Sequence, residues 1–231
     1  MGKNGPVKME KVKVALDGEK EMSLVYGIPS ETSRDPTCLV IAPGAGGPMY
    51  SPFITYFHSA LARKGFLTVK FNFPYLEARR KFPDKPDVLK ASYSRIVDEV
   101  RSVHHPDRLF IGGKSMGGRI ASMVVADGLN ADGLFFLGYP LHAPGRTDRL
   151  RDEHLYRISK PMLFVSGTND AFASRPLLEK VINRIGPIAQ VHWVEGGDHS
   201  FNTPSGKGDK AKTYEEVASL LANFASREAN T

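Results

Sequence analysis

The stretch Leu109-Phe110-Ile111-Gly112-Gly113-Lys114-Ser115-Met116-Gly117 decides how the rest of the chain is read. Its apolar opening predicts a strand, and the residues from Ser115 to Asp127 predict the helix that follows. Glycines two positions either side of Ser115 allow a sharp strand-to-helix turn in which neighbouring backbone approaches closely. Such a turn strains the serine backbone and holds its hydroxyl at the apex. The helix that opens there turns free N–H groups toward the serine, which favours negative charge. These features suit a nucleophile in acyl transfer.

The same segment contains Gly113-Lys114-Ser115, as a phosphate-binding loop would. That loop also needs a glycine five positions before the glycine of its Gly-Lys pair. Arg108 stands there, beside the apolar run that opens at Leu109, so the loop is too short to cradle phosphates.

A serine hydroxyl is a weak nucleophile without a base, and the base needs an orienting partner. Asp170 follows the apolar run Met162–Val165, in Ser166-Gly167-Thr168-Asn169-Asp170. His199 follows Val191–Val194, in Glu195-Gly196-Gly197-Asp198-His199-Ser200. All three residues lie just past strands, where open α/β sheets bind their ligands. In this reading His199 takes the proton of Ser115 and Asp170 holds the imidazole tautomer. Asp198 is a rival orienter, although adjacent side chains usually point apart. His104, His105, His142 and His192 follow no suitable turn and read as surface or packing residues.

An oxyanion would need two backbone donors. Met116, directly after the serine, supplies one. The glycine-rich loop Pro43-Gly44-Ala45-Gly46-Gly47-Pro48 supplies the other, with Ala45 the favoured donor. Around it, Gly46, Met49, Tyr50, Tyr75, Leu76, Tyr139, Leu141 and Phe172 are candidate pocket residues, with plain core packing the competing reading. The basic run Arg79-Arg80-Lys81 admits two readings, a selector of acidic acyl groups or a solvated loop.

Outward from the elbow, apolar runs alternate with helical patterns. Val12–Leu16 and Met22–Ile28 read as strands joined by a turn at Asp17-Gly18. Thr37–Ala42 reads as a strand buried on both faces. Phe66–Phe71 and Leu134–Leu137 add strands. Helices are expected over Phe53–Lys64, Leu89–Val103, Arg175–Ile185 and Tyr214–Ser226, with a loop at Pro83–Lys90. This alternation predicts crossover connections and a mainly parallel sheet. Residues 1–10 read as a polar tail and 11–231 as one domain.

The bulk numbers fit that reading. A chain of 231 residues suits one domain with a substantial core. A single cysteine excludes an intrachain disulfide and suits a reducing, cytoplasmic setting. No apolar stretch approaches a membrane span, and the N-terminus lacks the apolar centre of a signal peptide. Pro6 occupies the place where a myristoylation signal wants Ser or Thr. The net charge of +6 describes a basic surface more readily than a nucleic-acid site, for which no module is present. The histidines and carboxylates show no metal-ligand spacing.

On these residues the chain resembles the α/β-hydrolase superfamily over nearly its whole length. More narrowly it is similar to the branch of dienelactone hydrolases and of the hydrolase-like domain of testis-expressed and chromatin-complex (NSL) subunits. The narrower resemblance rests on Ala42–Gly47, Phe71-Asn72-Phe73-Pro74-Tyr75, Gly112–Arg119, Gly138-Tyr139-Pro140-Leu141-His142 and Gly196–Phe201. It implies a single-domain α/β-hydrolase fold, a mainly parallel sheet of about seven or eight strands with helices on both faces. The short stretch Gly138–Lys160 leaves room for a loop and one short helix, hence minimal or no lid. The resemblance also implies a cofactor-free serine hydrolase of a small-molecule ester, thioester or lactone. Serine replaces the cysteine nucleophile of dienelactone hydrolases, so their substrate does not carry over. Some relatives in the chromatin branch are binding subunits, which makes a non-catalytic scaffold the alternative.

Overall fold

Alternating side chains along the buried strands sort the core onto the two faces of one sheet. The structure is a computed structural model that describes residues 5–17, 20–30, 36–143, 145–204 and 209–227. Its strands are β1 (Val7–Asp17), β2 (Lys20–Pro29), β3 (Thr37–Ala42), β4 (Leu67–Phe71), β5 (Arg108–Lys114), β6 (Gly133–Leu137), β7 (Met162–Gly167) and β8 (Ala189–Val194). They form one sheet in the order β1-β2-β4-β3-β5-β6-β7-β8. Strands β3 to β8 run parallel, and β1 and β2 add an antiparallel edge.

The helices are α1 (Pro52–Arg63), α2 (Pro74–Glu77), α3 (Pro86–His104), α4 (Met116–Ala126), α5 (Arg175–Ile185) and α6 (Lys210–Arg227). Leu39 and Ile41 of β3 and Phe135 and Leu137 of β6 face α1 and α6. Cys38 and Val40 face α3 and α4 on the other side. Leu134 and Phe136 meet α5 on that same side. Each fully buried large apolar side chain contributes about 1.5–3 kcal/mol relative to exposure. The sheet is thereby covered on both faces, as parallel strands require.

Strand order fixes where a site can form. The chain crosses from β3 to β4 in one direction and returns to β5 on the other side of β3. The helices after β3 and β5 therefore pack on opposite faces, and their opening loops part above the sheet. Such a switch point leaves a crevice beyond the carboxyl ends of the two strands.

Several boundaries differ from the sequence expectation. Residues 7–10, read as part of a polar tail, pair with residues 26–29 as the start of β1. Residues 1–4 and the turn glycine at 18 lie outside the described residues. The loop expected through Lys90 gives way at Pro86, where proline opens α3 because its missing N–H would be unpaired in a first turn anyway. Helix α2 was not expected; its Pro74 start has the same cause. Between β6 and β7 the described residues include one short 3-10 helix, Glu153–Arg157. No described helix is long and apolar enough to cross a membrane.

Candidate active site

Strand β5 ends in the crevice, and Ser115 caps helix α4 there with φ 50° and ψ −117°. A non-glycine residue at such a φ is strained, and the strain turns its side chain out at the apex. The flanking glycines meet the backbone of the neighbouring strand. A Cβ on Gly113 would stand 2.2 Å from the Ala42 carbonyl oxygen, and one on Gly117 would stand 2.5 Å from it. The Ser115 N–H donates to the Leu137 carbonyl at 3.2 Å, which ties the elbow to β6.

Three residues from distant parts of the chain meet at this apex. Ser115 Oγ lies 2.8 Å from His199 Nε2. His199 Nδ1 lies 2.9 and 2.8 Å from the two oxygens of Asp170. The Asp170 side chain is fully buried, whereas that of His199 keeps 18 % of its exposure. A buried carboxylate on Nδ1 fixes that nitrogen as the donor and leaves Nε2 free to accept. Asp170 also accepts from the Phe172 N–H at 2.8 Å, and the Phe172 ring lies 4.4 Å from the imidazole.

Asp198, the rival orienter, serves its own loop. It accepts from the N–H groups of Ser200 and Asn202 and from the Asn202 side chain. These bonds and the Lys114 charge hold its carboxyl below the usual range although burial opposes them.

The loop after β3 packs against the elbow. A Cβ on Gly44 would stand 3.5 Å from that of Ser115. Ala45 and Gly46 are exposed at its tip. Tyr75 Oη donates to the carbonyls of Ala45 and Gly44 at 3.3 and 3.5 Å, and Asn72 Oδ1 accepts from the Met49 N–H at 2.8 Å. Sequence reasoning did not reach these two braces, whose signal was the motif Phe71–Tyr75.

The candidate pocket residues divide. Phe172 and half-exposed Tyr50 face accessible space, and the Tyr50 ring takes the ammonium groups of Lys70 and Lys11 at 4.9 and 5.3 Å. Tyr75, Tyr139, Met49 and Leu141, by contrast, are buried and cannot line an open pocket. Tyr139 Oη instead donates to the Arg151 carbonyl at 2.8 Å and bonds His154, which secures the segment after β6. Within the run 79–81, Arg80 pairs with Asp84 at 2.5 Å, and Asp84 also accepts from the Tyr75 N–H. That cation is thus committed to holding its own loop.

Known proteins share this architecture. A family model described as an alpha/beta hydrolase domain matches residues 35–226. An α/β serine hydrolase homologue from Coxiella burnetii superposes with a TM-score of 0.73 at 19% identity, covering 93% of this chain and 96% of that one. A Xanthomonas campestris protein described as an α/β serine hydrolase without a lid gives a TM-score of 0.75 at 17% identity, covering 96% and 95%. Dienelactone hydrolase from Anabaena variabilis gives 0.75 at 18% identity, covering 96% and 98%. At these identities the likeness is one of fold.

Proposed function

This chain belongs to the alpha/beta hydrolase domain family, and we propose that it cleaves a small to medium acyl ester, thioester or lactone through Ser115, His199 and Asp170. The carrying observation is the unbroken hydrogen-bonded line from Ser115 Oγ through the imidazole to a buried carboxylate. Ser115 Oγ attacks the acyl carbonyl while His199 Nε2 takes its proton. Asp170 stabilises the imidazolium. The N–H groups of Met116 and Ala45 receive the developing oxyanion. The tetrahedral adduct expels the alcohol or thiol, which leaves with the proton from Nε2. Water, deprotonated by the same imidazole, then releases the acid and restores Ser115.

What surrounds the serine supports the proposed substrate class. Among the described residues the stretch between β6 and β7 holds one 3-10 helix and no large apolar cover of the kind that suits long-chain lipids. Gly46, Tyr50 and Phe172 are the proposed substrate contacts. Fluorophosphonate labelling of the purified protein, mapped by mass, tests the reading. Rapid labelling at Ser115 that collapses in Ser115→Ala and His199→Ala supports it. Folded protein that fails to label would favour the scaffold reading instead.

A further inference from the structure

Lys114 is the charged side chain of the elbow, and the proposed reaction gives it no task. Its side chain is largely buried, and its Nζ donates to the backbone carbonyl of His199. The ammonium lies 5.2 Å from the Phe53 ring centre and 5.9 Å from that of Phe201. A Cβ placed on Gly138 would stand 3.0 Å from Lys114 Nζ, 3.2 Å from His199 Nδ1 and 2.7 Å from the His199 carbonyl oxygen. The cation and the imidazole therefore flank one point in space.

Burying an ammonium is costly unless something compensates. Here a carbonyl and two aromatic faces do so, and the charged groups that face it are Asp170 and Asp198. The loop that carries His199 is itself strained, since Phe201 has φ 65°. Strained backbone persists only where its surroundings over-determine it. Asp198 clamps the loop through Ser200 and Asn202, and Lys114 adds the contact on the peptide of His199 itself.

We propose that Lys114 is a positioning residue whose ammonium, by holding the His199 carbonyl, keeps the imidazole in reach of both Ser115 and Asp170. Its catalytic consequence rests on the hydrolase reading; its anchoring role does not. A charge-assisted hydrogen bond is about twice as strong as a neutral one, so the anchor weakens when the ammonium loses its proton. Burial brings that loss down to about pH 8, against the opposing pull of Asp170 and Asp198.

The test follows the His199 ring signals by NMR from pH 6 to 9.5, beside the pH profile of fluorophosphonate labelling at Ser115, in wild type, Lys114→Met and Lys114→Gln. Methionine keeps an unbranched apolar chain between the two rings, and glutamine keeps a donor without the charge. In wild type the ring signals are expected to show an inflection near pH 8, with labelling falling above it. In both variants the inflection disappears, and in Lys114→Met labelling at pH 7 drops about tenfold or more. His199 ring signals that coincide in wild type and folded Lys114→Gln across the whole pH range overturn the anchor. Labelling of folded Lys114→Met at the wild-type rate overturns it as well. An inflection in protein whose Ser115 never labels would keep the anchor and remove the hydrolase reading.

Discussion

Asp170 presents both carboxylate oxygens to Nδ1 of His199, at 2.9 and 2.8 Å, from a position wholly shielded from water. The geometry selects one tautomer, with the proton on Nδ1 and a lone pair on Nε2. Asp170→Asn would present an amide in place of the acceptor and favour the wrong tautomer. Its hydrolysis rate is expected to fall about 10⁴-fold with the fold intact, comparable with the loss known for such a change in a serine protease triad. Steady-state ester hydrolysis beside circular dichroism checks this, and a loss under tenfold would move the orienting role to another residue.

Tyr75 stands behind the loop that carries Ala45 rather than in the pocket. Its hydroxyl is buried, and burial pushes its pKa up to about 12, so it donates throughout the working range. Tyr75→Phe removes that donor and keeps the ring. One such bond is worth about 0.5–1.5 kcal/mol, so kcat is expected to fall roughly two- to tenfold with little change in KM. A rise in KM at constant kcat would instead mean that the loop binds substrate and leaves the transition state alone.

The elbow glycines leave no room for a side chain. In Gly113→Ala the new methyl would press on the Ala42 backbone at 2.2 Å, and the backbone at φ 151° adds strain. Neither obstacle is the end of a flexible side chain, so the strands must move. The cost is expected at about 3 kcal/mol or more, which lowers Tm by roughly 6–12 °C for a chain of this size. Scanning calorimetry reads it directly.

His58 makes stability depend on pH far from the active site. It is fully buried, its Nε2 donates to the Val25 carbonyl at 3.1 Å, and its Nδ1 has no partner among the described residues. Burial, aided by the Lys70 charge, pushes its pKa down from 6.5 to about 4. The unfolded chain thus takes up a proton near pH 6.5 that the folded chain refuses until about pH 4. Stability is full above 6.5 and declines as pH falls toward 4, by about 3 kcal/mol from this group. His154, lowered similarly by burial and the Arg119 charge, adds a smaller part. Urea midpoints at pH 7 and 4.5 are expected to differ less in His58→Phe than in wild type; an equal difference would assign the effect to other groups.

How much of this was legible in the chain varies with the range of the interaction involved. The buried strands, the two glycines around Ser115 and the order Ser115, Asp170, His199 follow from local pattern, because strand periodicity and turn sterics act over a few residues. The tail reading failed at residues 7–10 because β1 gains its order from pairing with β2, a partner that its own mixed polar pattern does not announce.

The sequence by itself determined the alternating α/β architecture, the elbow with Ser115, and the candidates His199, Asp170 and its rival Asp198. The tertiary structure alone decided which aspartate faces His199, that Tyr75 and Tyr139 serve the scaffold and not the pocket, and that Lys114 reaches back to His199. Those outcomes depend on where segments separated by 12 to 85 positions come to rest. Their side-chain directions are set by the register of a sheet whose strand order departs from chain order. Local chemistry names the candidates, and the packing of distant strands assigns their partners.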